Sequence, residues 1–185
     1  MSSEEKVVLD GDDMRRTLVR IAHEIVEGNA EGHDLAIVGI HRRGAVLAQR
    51  IHGLVADLLD DPDVPLGDLD ISFYRDDVAQ RREAPVILAS HIDFEITGRS
   101  VVIVDDVLYT GRTVRAAIEA LFDYGRPERV QLAVLADRGH RELPIRPDYV
   151  GKNLPTSRFE RVNVRVSELD SIDEVAITAV EEAVA

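Results

Sequence analysis

Two adjacent carboxylates precede a turn rich in hydroxyl groups, and together these residues could bind a phosphorylated sugar. Asp105 and Asp106 follow the apolar run 101–104, and Thr110 and Thr113 flank a glycine a few residues later. Backbone N–H groups of the turn, the two hydroxyls and the positive end of a following helix would suit a phosphomonoester. The carboxylates can accept hydrogen bonds from vicinal sugar hydroxyls. The alternative is an ordinary strand-to-helix turn whose acids cap the helix.

A second candidate anion site is the segment Val38-Gly-Ile-His-Arg-Arg-Gly44, called the arginine loop below. Its small residues would let the backbone approach an anion, and Arg42 and Arg43 could meet the anion's oxygens. The glycine spacing is that of a P-loop, but Ala45 stands where the lysine is required, and the chain has no G-x-G-x-x-G. Nucleoside triphosphatases and Rossmann dinucleotide sites are therefore disfavoured. Taken alone, the loop could equally be a surface turn whose arginines face water.

The apolar pattern around these segments predicts alternating strands and helices. Strands are predicted at 35–40, 69–74, 101–104 and 130–136, and helices at 10–27, 45–59, 112–124 and 173–185. Wholly apolar strands are typical of a parallel sheet covered on both faces, and ligands bind beyond the carboxyl ends of such strands. We therefore expect an α/β fold with a central, mostly parallel sheet flanked by helices, in a single domain over residues 1–185.

Composition narrows the class of protein. The chain has 185 residues, 45% of them hydrophobic, no cysteine and a net charge of −13. The lack of cysteine excludes a disulfide framework and a thiolate zinc site. No apolar run approaches the ~18 residues of a spanning helix, so we expect a cytoplasmic protein without a membrane partner. The negative charge disfavours non-specific RNA binding, yet residues 126–165 carry nine basic and five acidic side chains.

The segment Val101–Thr113 resembles the signature of type I phosphoribosyltransferases, which use phosphoribosyl pyrophosphate (PRPP), and the arginine loop resembles their pyrophosphate loop. Asp137-Arg-Gly-His-Arg-Glu-Leu-Pro-Ile-Arg146 and Tyr149-Val-Gly-Lys-Asn-Leu-Pro-Thr-Ser157 resemble the PyrR family of pyrimidine operon regulators and uracil phosphoribosyltransferases. Residues 14–24 and 71–77 also match, so the resemblance covers nearly the whole chain. It implies the type I phosphoribosyltransferase fold, with a small hood and a mobile lid loop.

The resemblance implies that uracil and PRPP react to give UMP and pyrophosphate, with Mg²⁺ bound mainly through PRPP and no protein ligand assigned to it. Asp105 and Asp106 would act at the ribose, and Arg42 and Arg43 at the pyrophosphate. The residues that would bind PRPP or UMP are Ile40, His41, Gly44, Val107, Leu108, Tyr109, Thr110, Gly111, Arg112 and Thr113. Uracil would lie against Ala136, Asp137 and Arg138. The peptide between Ile40 and His41 is expected to be cis.

Two further surfaces are expected from the resemblance. The charged stretch 75–83 would be a lid that excludes water, or else a plain solvated loop. Its lid residues would be Arg75, Asp76, Asp77, Arg81 and Arg82. The regulatory activity implies binding to pyrimidine operon leader mRNA, favoured by UMP. The RNA surface would comprise Thr17, Arg20, His23, Arg141, Arg146 and Lys152, unless these form an ordinary solvated helix face and hairpin.

Two other functions stay open at this point: an RNA-binding regulator with vestigial transferase activity, and a phosphoribosyltransferase for another base. The family forms dimers and higher assemblies, so we expect a homodimer or a larger homo-oligomer. His33, His52 and His91 have no spacing that suggests a metal site, and we expect them to be surface or structural residues.

Overall fold

A computed structural model describes residues 5–30, 34–74 and 89–179 of the chain. The predicted lid residues Arg75, Asp76, Asp77, Arg81 and Arg82 lie outside the described residues, as does His33. The strands are β1 (Glu5–Leu9), β2 (Leu35–Ile40), β3 (Leu66–Leu69), β4 (Ser100–Leu108), β5 (Arg129–Asp137), β6 (Tyr149–Asn153), β7 (Glu160–Arg165) and β8 (Glu174–Ala179). The helices are α1 (Gly11–Gly28), α2 (Arg43–Leu59), α3 (Arg112–Phe122) and α4 (Ser167–Asp170).

Five parallel strands form the central sheet in the order β3-β2-β4-β5-β6. Because successive side chains on a strand point to opposite faces, the apolar strand β4 supplies two separate cores. Val102 and Val104 belong to the core that contains α1 and α2, whereas Val101 and Ile103 belong to the core beneath α3. Helices therefore cover both faces, and the predicted α/β architecture is confirmed.

The helix ends follow local sequence signals closely. Asp10 precedes α1 and accepts a hydrogen bond from the Asp13 N–H at 2.8 Å, and the Asp13 side chain accepts one from the Asp10 N–H, which completes a capping box. Helix α2 begins at Arg43, two residues earlier than predicted, and α3 ends at Phe122 rather than at Tyr124. None of the described helices has the length and apolar character needed to cross a membrane.

A separate antiparallel sheet in the order β1-β8-β7 forms the small hood. The predicted C-terminal helix at 173–185 is wrong where the structure describes it, because residues 174–179 form β8. Val175 and Ala176 are fully buried, and β8 is hydrogen-bonded to a strand on each side. Pairing on both edges outweighs the weak helical preference of so short a segment.

The predicted strand at 69–74 is also wrong, since β3 ends at Leu69 and a turn follows. The Asp70 carboxylate accepts a hydrogen bond from the Ser72 N–H at 2.9 Å, and the Tyr74 N–H donates to the Ile71 carbonyl at 2.9 Å. A short acidic side chain that binds the backbone two residues ahead favours a turn over a strand. Leu69 and Ile71 are both buried, but Leu69 ends the strand and Ile71 lies in the turn that follows it.

Candidate functional site at the carboxyl edge of the central sheet

Asp105 and Asp106 lie inside β4, which continues to Leu108 instead of ending at Val104 as predicted. Asp105 is 6% exposed, and its Oδ1 accepts a hydrogen bond from the Asp106 N–H at 2.9 Å. The half-buried Asp106 accepts one from the Val107 N–H at 2.7 Å. Burial first, and the neighbouring Asp106 second, raise the pKa of Asp105 well above its usual range. Asp105 therefore keeps its proton to a higher pH than an ordinary aspartate.

The turn 109–113, called the phosphate loop below, leaves the N-terminus of α3 accessible. Gly111 caps this helix with a φ of +93°, a conformation that favours glycine, and as a glycine it supplies no side-chain cap. The Thr110 hydroxyl accepts a hydrogen bond from the Arg112 N–H at 3.3 Å. The first turn of the helix carries no acidic residue. An anion such as a phosphate fits the backbone N–H groups of this first turn and the positive helix end.

The segment 137–145 is hydrogen-bonded to the phosphate loop at several points. Arg141 donates a hydrogen bond to the Tyr109 carbonyl at 2.8 Å, and the Glu142 N–H donates to the Thr110 carbonyl at 2.9 Å. The Glu142 carboxylate also accepts from Arg112 Nε at 2.7 Å. Sequence reasoning missed this role of Glu142, because nothing in the local spacing relates it to a helix thirty residues earlier.

The arginine loop joins β2 to α2, and its two arginines differ in environment. Arg43 forms a two-pronged ion pair with Asp170, with Nη2–Oδ1 and Nε–Oδ2 distances of 2.6 and 3.1 Å. This contact is the main cause that raises the pKa of Arg43. Arg42 is exposed and has no ion-pair partner within the described residues. The cis peptide lies between His41 and Arg42, so the expectation of a cis bond one residue earlier is wrong.

Close backbone packing brings the arginine loop against the acidic end of β4. Gly39 pairs with Val104 across the sheet. A Cβ on Gly44 would lie 2.7 Å from the Val104 carbonyl oxygen and 3.1 Å from the Asp105 Cα. Only a glycine leaves room for this approach, which explains the residue type at position 44. The predicted ribose and pyrophosphate residues therefore meet at one edge of the sheet.

The three predicted uracil residues continue along the same edge, but the Arg138 side chain is already engaged. Ala136 and Asp137 end β5 and pair with Val107 and Leu108 of β4. Arg138 is 8% exposed, and its guanidinium donates to the Ser157 and Glu160 carbonyls at 3.1 and 2.7 Å.

The Arg138 guanidinium also lies over the Tyr109 ring, with 4.1 Å between the guanidinium carbon and the ring centroid. Through these contacts, the buried Arg138 guanidinium joins the segment 157–160 to the phosphate loop. The Arg138 guanidinium is therefore bound within the protein, and contact of this residue with uracil stays a prediction.

Three of the six predicted RNA residues come together where α1 packs against β6. Arg20 donates to the Val150 and Gly151 carbonyls at 3.1 and 2.6 Å. A Cβ on Gly151 would lie 2.8 Å from the Thr17 methyl group, so this part of β6 packs directly on the helix. Lys152 is exposed and donates to the Val8 carbonyl at 3.0 Å.

The other three predicted RNA residues are spread more widely. His23 is exposed on α1, one turn beyond Arg20, and Arg146 is exposed in the segment that leads into β6. Arg141 instead contacts the phosphate loop through Tyr109, and its Nη2 donates to the Asp137 carboxylate. One predicted RNA residue thus contacts the phosphate loop.

Comparison with known proteins agrees with this geometry. Residues 6–170 match the family model described as the phosphoribosyl transferase domain. The chain is 61% identical to a bifunctional protein PyrR of a Roseiflexus species, over 90% of each chain. It is 57% identical to a bifunctional protein PyrR of Chloroflexus aurantiacus, over 94% of each chain.

Solved structures of lower identity share the fold. A hypoxanthine phosphoribosyltransferase from Staphylococcus aureus is 21% identical with a TM-score of 0.67, over 97% of this chain and 94% of the other. One from Trypanosoma cruzi is 19% identical with a TM-score of 0.70, over 96% and 93% of the two chains. At such identities the likeness concerns the fold and not the base. The acidic pair, the phosphate loop, the family match and the two relatives together establish that the chain belongs to the PyrR family of phosphoribosyltransferases.

Proposed function

We propose that the chain transfers the phosphoribosyl group of PRPP to N1 of uracil, giving UMP and pyrophosphate, and regulates pyrimidine genes by binding leader mRNA in a UMP-dependent way. The observation that carries the enzymatic half is the position of Asp105 and Asp106 beside an accessible helix N-terminus. That edge offers acceptors for sugar hydroxyls and donors for a 5′-phosphate within one site.

The charges that develop during the reaction suit the side chains at this edge. Breaking the anomeric bond leaves positive character on the ribose and additional negative charge on the departing pyrophosphate. Asp105 and Asp106 stabilise the ribose, and the exposed Arg42 meets the pyrophosphate. Arg43, which is engaged by Asp170, positions the first turn of α2 rather than contacting the leaving group.

Mg²⁺ would bind together with PRPP, whose oxygens would supply most of its ligands. Mg²⁺ prefers oxygen donors and is commonly held by one or two carboxylates together with substrate phosphates. The carboxylates of Asp105 and Asp106 are donors of that kind at the proposed ribose site. When bound, the ion neutralises charge on the leaving pyrophosphate.

The base would lie beyond the end of β5. Backbone groups at Ala136 and Asp137 would read the uracil carbonyls, since the Arg138 guanidinium is already bound to the protein. Backbone donors favour a carbonyl oxygen over an amino group, which gives a preference for uracil over cytosine.

The regulatory half of the proposal rests on the packing of α1 against β6. This contact gathers Thr17, Arg20 and Lys152 on one part of a molecule whose net charge is −13. A small basic surface on an acidic protein favours selective RNA binding that depends strongly on salt. The contact of Arg141 with the phosphate loop supplies a route by which bound UMP could alter RNA affinity.

The decisive test supplies labelled uracil, PRPP and Mg²⁺ to the purified chain and measures labelled UMP, with hypoxanthine and orotate in parallel reactions. We expect UMP alone. Product from hypoxanthine or orotate without UMP would establish a transferase for another base. Leader RNA bound in a UMP-dependent way without any UMP synthesis would instead establish a regulator with vestigial activity.

We also propose that residues 1–185 form a single domain that assembles as a homodimer or a larger homo-oligomer. Residues of the hood and of α1 share one core cluster, which supports the single domain. Light scattering coupled to gel filtration would measure the assembly, and a monomer at micromolar concentration would contradict the oligomer.

A further inference from the structure

Three side chains from distant parts of the chain converge at the β2–β3 end of the edge described above. His41 Nε2 lies 2.6 Å from Asp68 Oδ1, and His91 Nδ1 lies 3.1 Å from the same oxygen. One potential ligand atom from each residue lies within 4.8 Å of the other two. Two imidazoles and one carboxylate therefore face a common point.

Backbone hydrogen bonds fix the positions of all three residues. Asp68 and His91 form a bridge in which the Asp68 N–H donates to the His91 carbonyl at 3.0 Å and the His91 N–H donates to the Asp68 carbonyl at 2.9 Å. The His41 N–H donates to the Leu69 carbonyl at 3.0 Å. The main chain therefore holds the three residues next to one another, and rotation of their side chains sets the distances between the ligand atoms.

Two histidines and an aspartate select a particular class of ligand. Imidazole nitrogens suit Zn²⁺, Co²⁺ and Ni²⁺, whereas Mg²⁺ prefers oxygen donors. Three protein ligands also leave a coordination position for water or another molecule. We propose that His41, Asp68 and His91 bind one transition-metal ion of this class, at a site separate from the magnesium that accompanies PRPP.

The contacts among the three side chains must lengthen to accept the ion. A tetrahedral ion with bonds of about 2.0–2.2 Å holds its ligand atoms about 3.3–3.5 Å apart. The 2.6 Å contact of His41 with Asp68 must therefore lengthen by about 0.7–0.9 Å, and the 3.1 Å contact of His91 by about 0.2–0.4 Å. The side chains of His41, Asp68 and His91 are 21%, 26% and 60% exposed, so the site is open to solvent on the His91 side.

The ion would bind the loop that the proposed function assigns to pyrophosphate, because His41 is part of the arginine loop. The metal site itself does not depend on that function, since its test involves neither PRPP nor uracil. A negative activity assay would leave the metal measurement unaffected, and the reverse also holds.

The test titrates the chelator-treated chain with Zn²⁺ alone and follows the heat of binding. Metal content after desalting and the visible absorption of a Co²⁺-loaded sample serve as second readouts. We expect one ion per chain. Asp68→Asn and His91→Asn should each weaken Zn²⁺ binding at least about tenfold, because even removal of a residue that only orients a ligand costs 10–100-fold in affinity.

His23→Asn is the matched control, since His23 is an exposed histidine on α1 that takes no part in the cluster. This variant should bind Zn²⁺ like the parent. Circular dichroism and thermal melts of each variant check folding, and His91→Asn alters a largely exposed side chain. The proposal is overturned if the parent binds no ion, if both cluster variants bind normally, or if the control loses affinity equally.

Discussion

Gly44 lies against Asp105 so closely that a Cβ at position 44 would stand 3.1 Å from the Asp105 Cα. The same Cβ would stand 2.7 Å from the Val104 carbonyl oxygen, a distance that real Cβ atoms do not adopt. The first turn of α2 is thus in backbone contact with the acidic end of β4. This contact fixes the spacing between the residues proposed to act at the leaving group and those proposed to act at the sugar.

Replacement of this glycine tests the contact. Gly44→Ala should destabilise the protein by about 1–3 kcal/mol, because an added methyl group in a packed site forces the backbone apart. It should also lower kcat/KM for PRPP, since the arginine loop would move away from Asp105. Urea unfolding and steady-state kinetics measure the two effects.

Gly53→Ala is the control, because it lies in the same helix and its Cβ would have no neighbour within 4 Å. This change should stabilise the protein by about 0.5–1 kcal/mol, as expected for glycine replaced by alanine inside a helix. Equal effects of the two alanines would show that the contact at position 44 is unimportant.

Asp170→Ala tests the ion pair that engages Arg43. The substitution removes the contact to Arg43 and the hydrogen bond that Asp170 accepts from the Val166 N–H at 2.9 Å. We expect a loss of about 1–2 kcal/mol in the free energy of unfolding, from a partly buried ion pair and a lost hydrogen bond. The first turn of α2 and the arginine loop before it would also be less well positioned, so KM for PRPP should rise.

Glu119→Ala is a suitable comparison, because it removes the Arg115–Glu119 ion pair of similar length, 2.8 Å, on the exposed surface of α3. Such pairs contribute only about 0.3–0.5 kcal/mol. If Asp170→Ala lowers the free energy of unfolding by no more than Glu119→Ala does, Asp170 does not anchor the arginine loop.

The raised pKa of Asp105 predicts a pH-dependent stability difference. Its pKa in the folded protein lies above the ordinary value of 3.8, so ionisation of the buried carboxyl costs free energy in the folded state. The parent should lose stability relative to Asp105→Asn as the pH rises above 3.8 and through the folded pKa. Each pKa unit contributes about 1.4 kcal/mol.

Thermal melts of the parent and of Asp105→Asn between pH 4 and 8 measure this difference. Asp93→Asn, at an exposed position, should show no such trend. A constant gap between parent and Asp105→Asn across the range would refute the raised pKa. Because Asp105 is proposed to act at the ribose, the same variant should lose about 10²-fold or more in kcat.

Arg141→Ala distinguishes a shared residue from a pure RNA contact. Its guanidinium binds the Tyr109 carbonyl, the Ile145 carbonyl and the Asp137 carboxylate. Loss of these contacts should loosen the phosphate loop and raise KM for PRPP about tenfold, since hydrogen bonds to charged groups contribute about 1.5–3 kcal/mol. RNA affinity should fall as well.

The control for Arg141→Ala is Arg126→Ala, an exposed arginine that precedes β5 at the opposite edge of the sheet. Both activities should survive that change. If Arg141→Ala weakens RNA binding and leaves KM for PRPP unaltered, the proposed link between the loop and the RNA surface is wrong. If Arg141 contacts an RNA phosphate, Arg141→Ala should also make the RNA affinity less dependent on salt. The slope of log affinity against log salt concentration should then become shallower by about 0.7–0.9.

The sequence by itself determined the parts of the protein that depend on neighbouring residues. The apolar run before Asp105, the glycine at position 111 and the acidic cap of α1 are local signals, and each predicts its element because periodicity and backbone preference act over a few residues. The alternating pattern then gave the α/β class, since buried parallel strands need helical crossovers.

The tertiary structure decided every relationship between distant segments. Arg43 finds Asp170 at a separation of 127 residues, and His41 meets Asp68 and His91 although their spacing suggested no metal site. Residues 174–179 become a strand because two neighbouring strands offer hydrogen-bond partners. Local spacing in the sequence encodes none of these contacts. They depend on which strands lie side by side in the two sheets and on the cores that bury those strands.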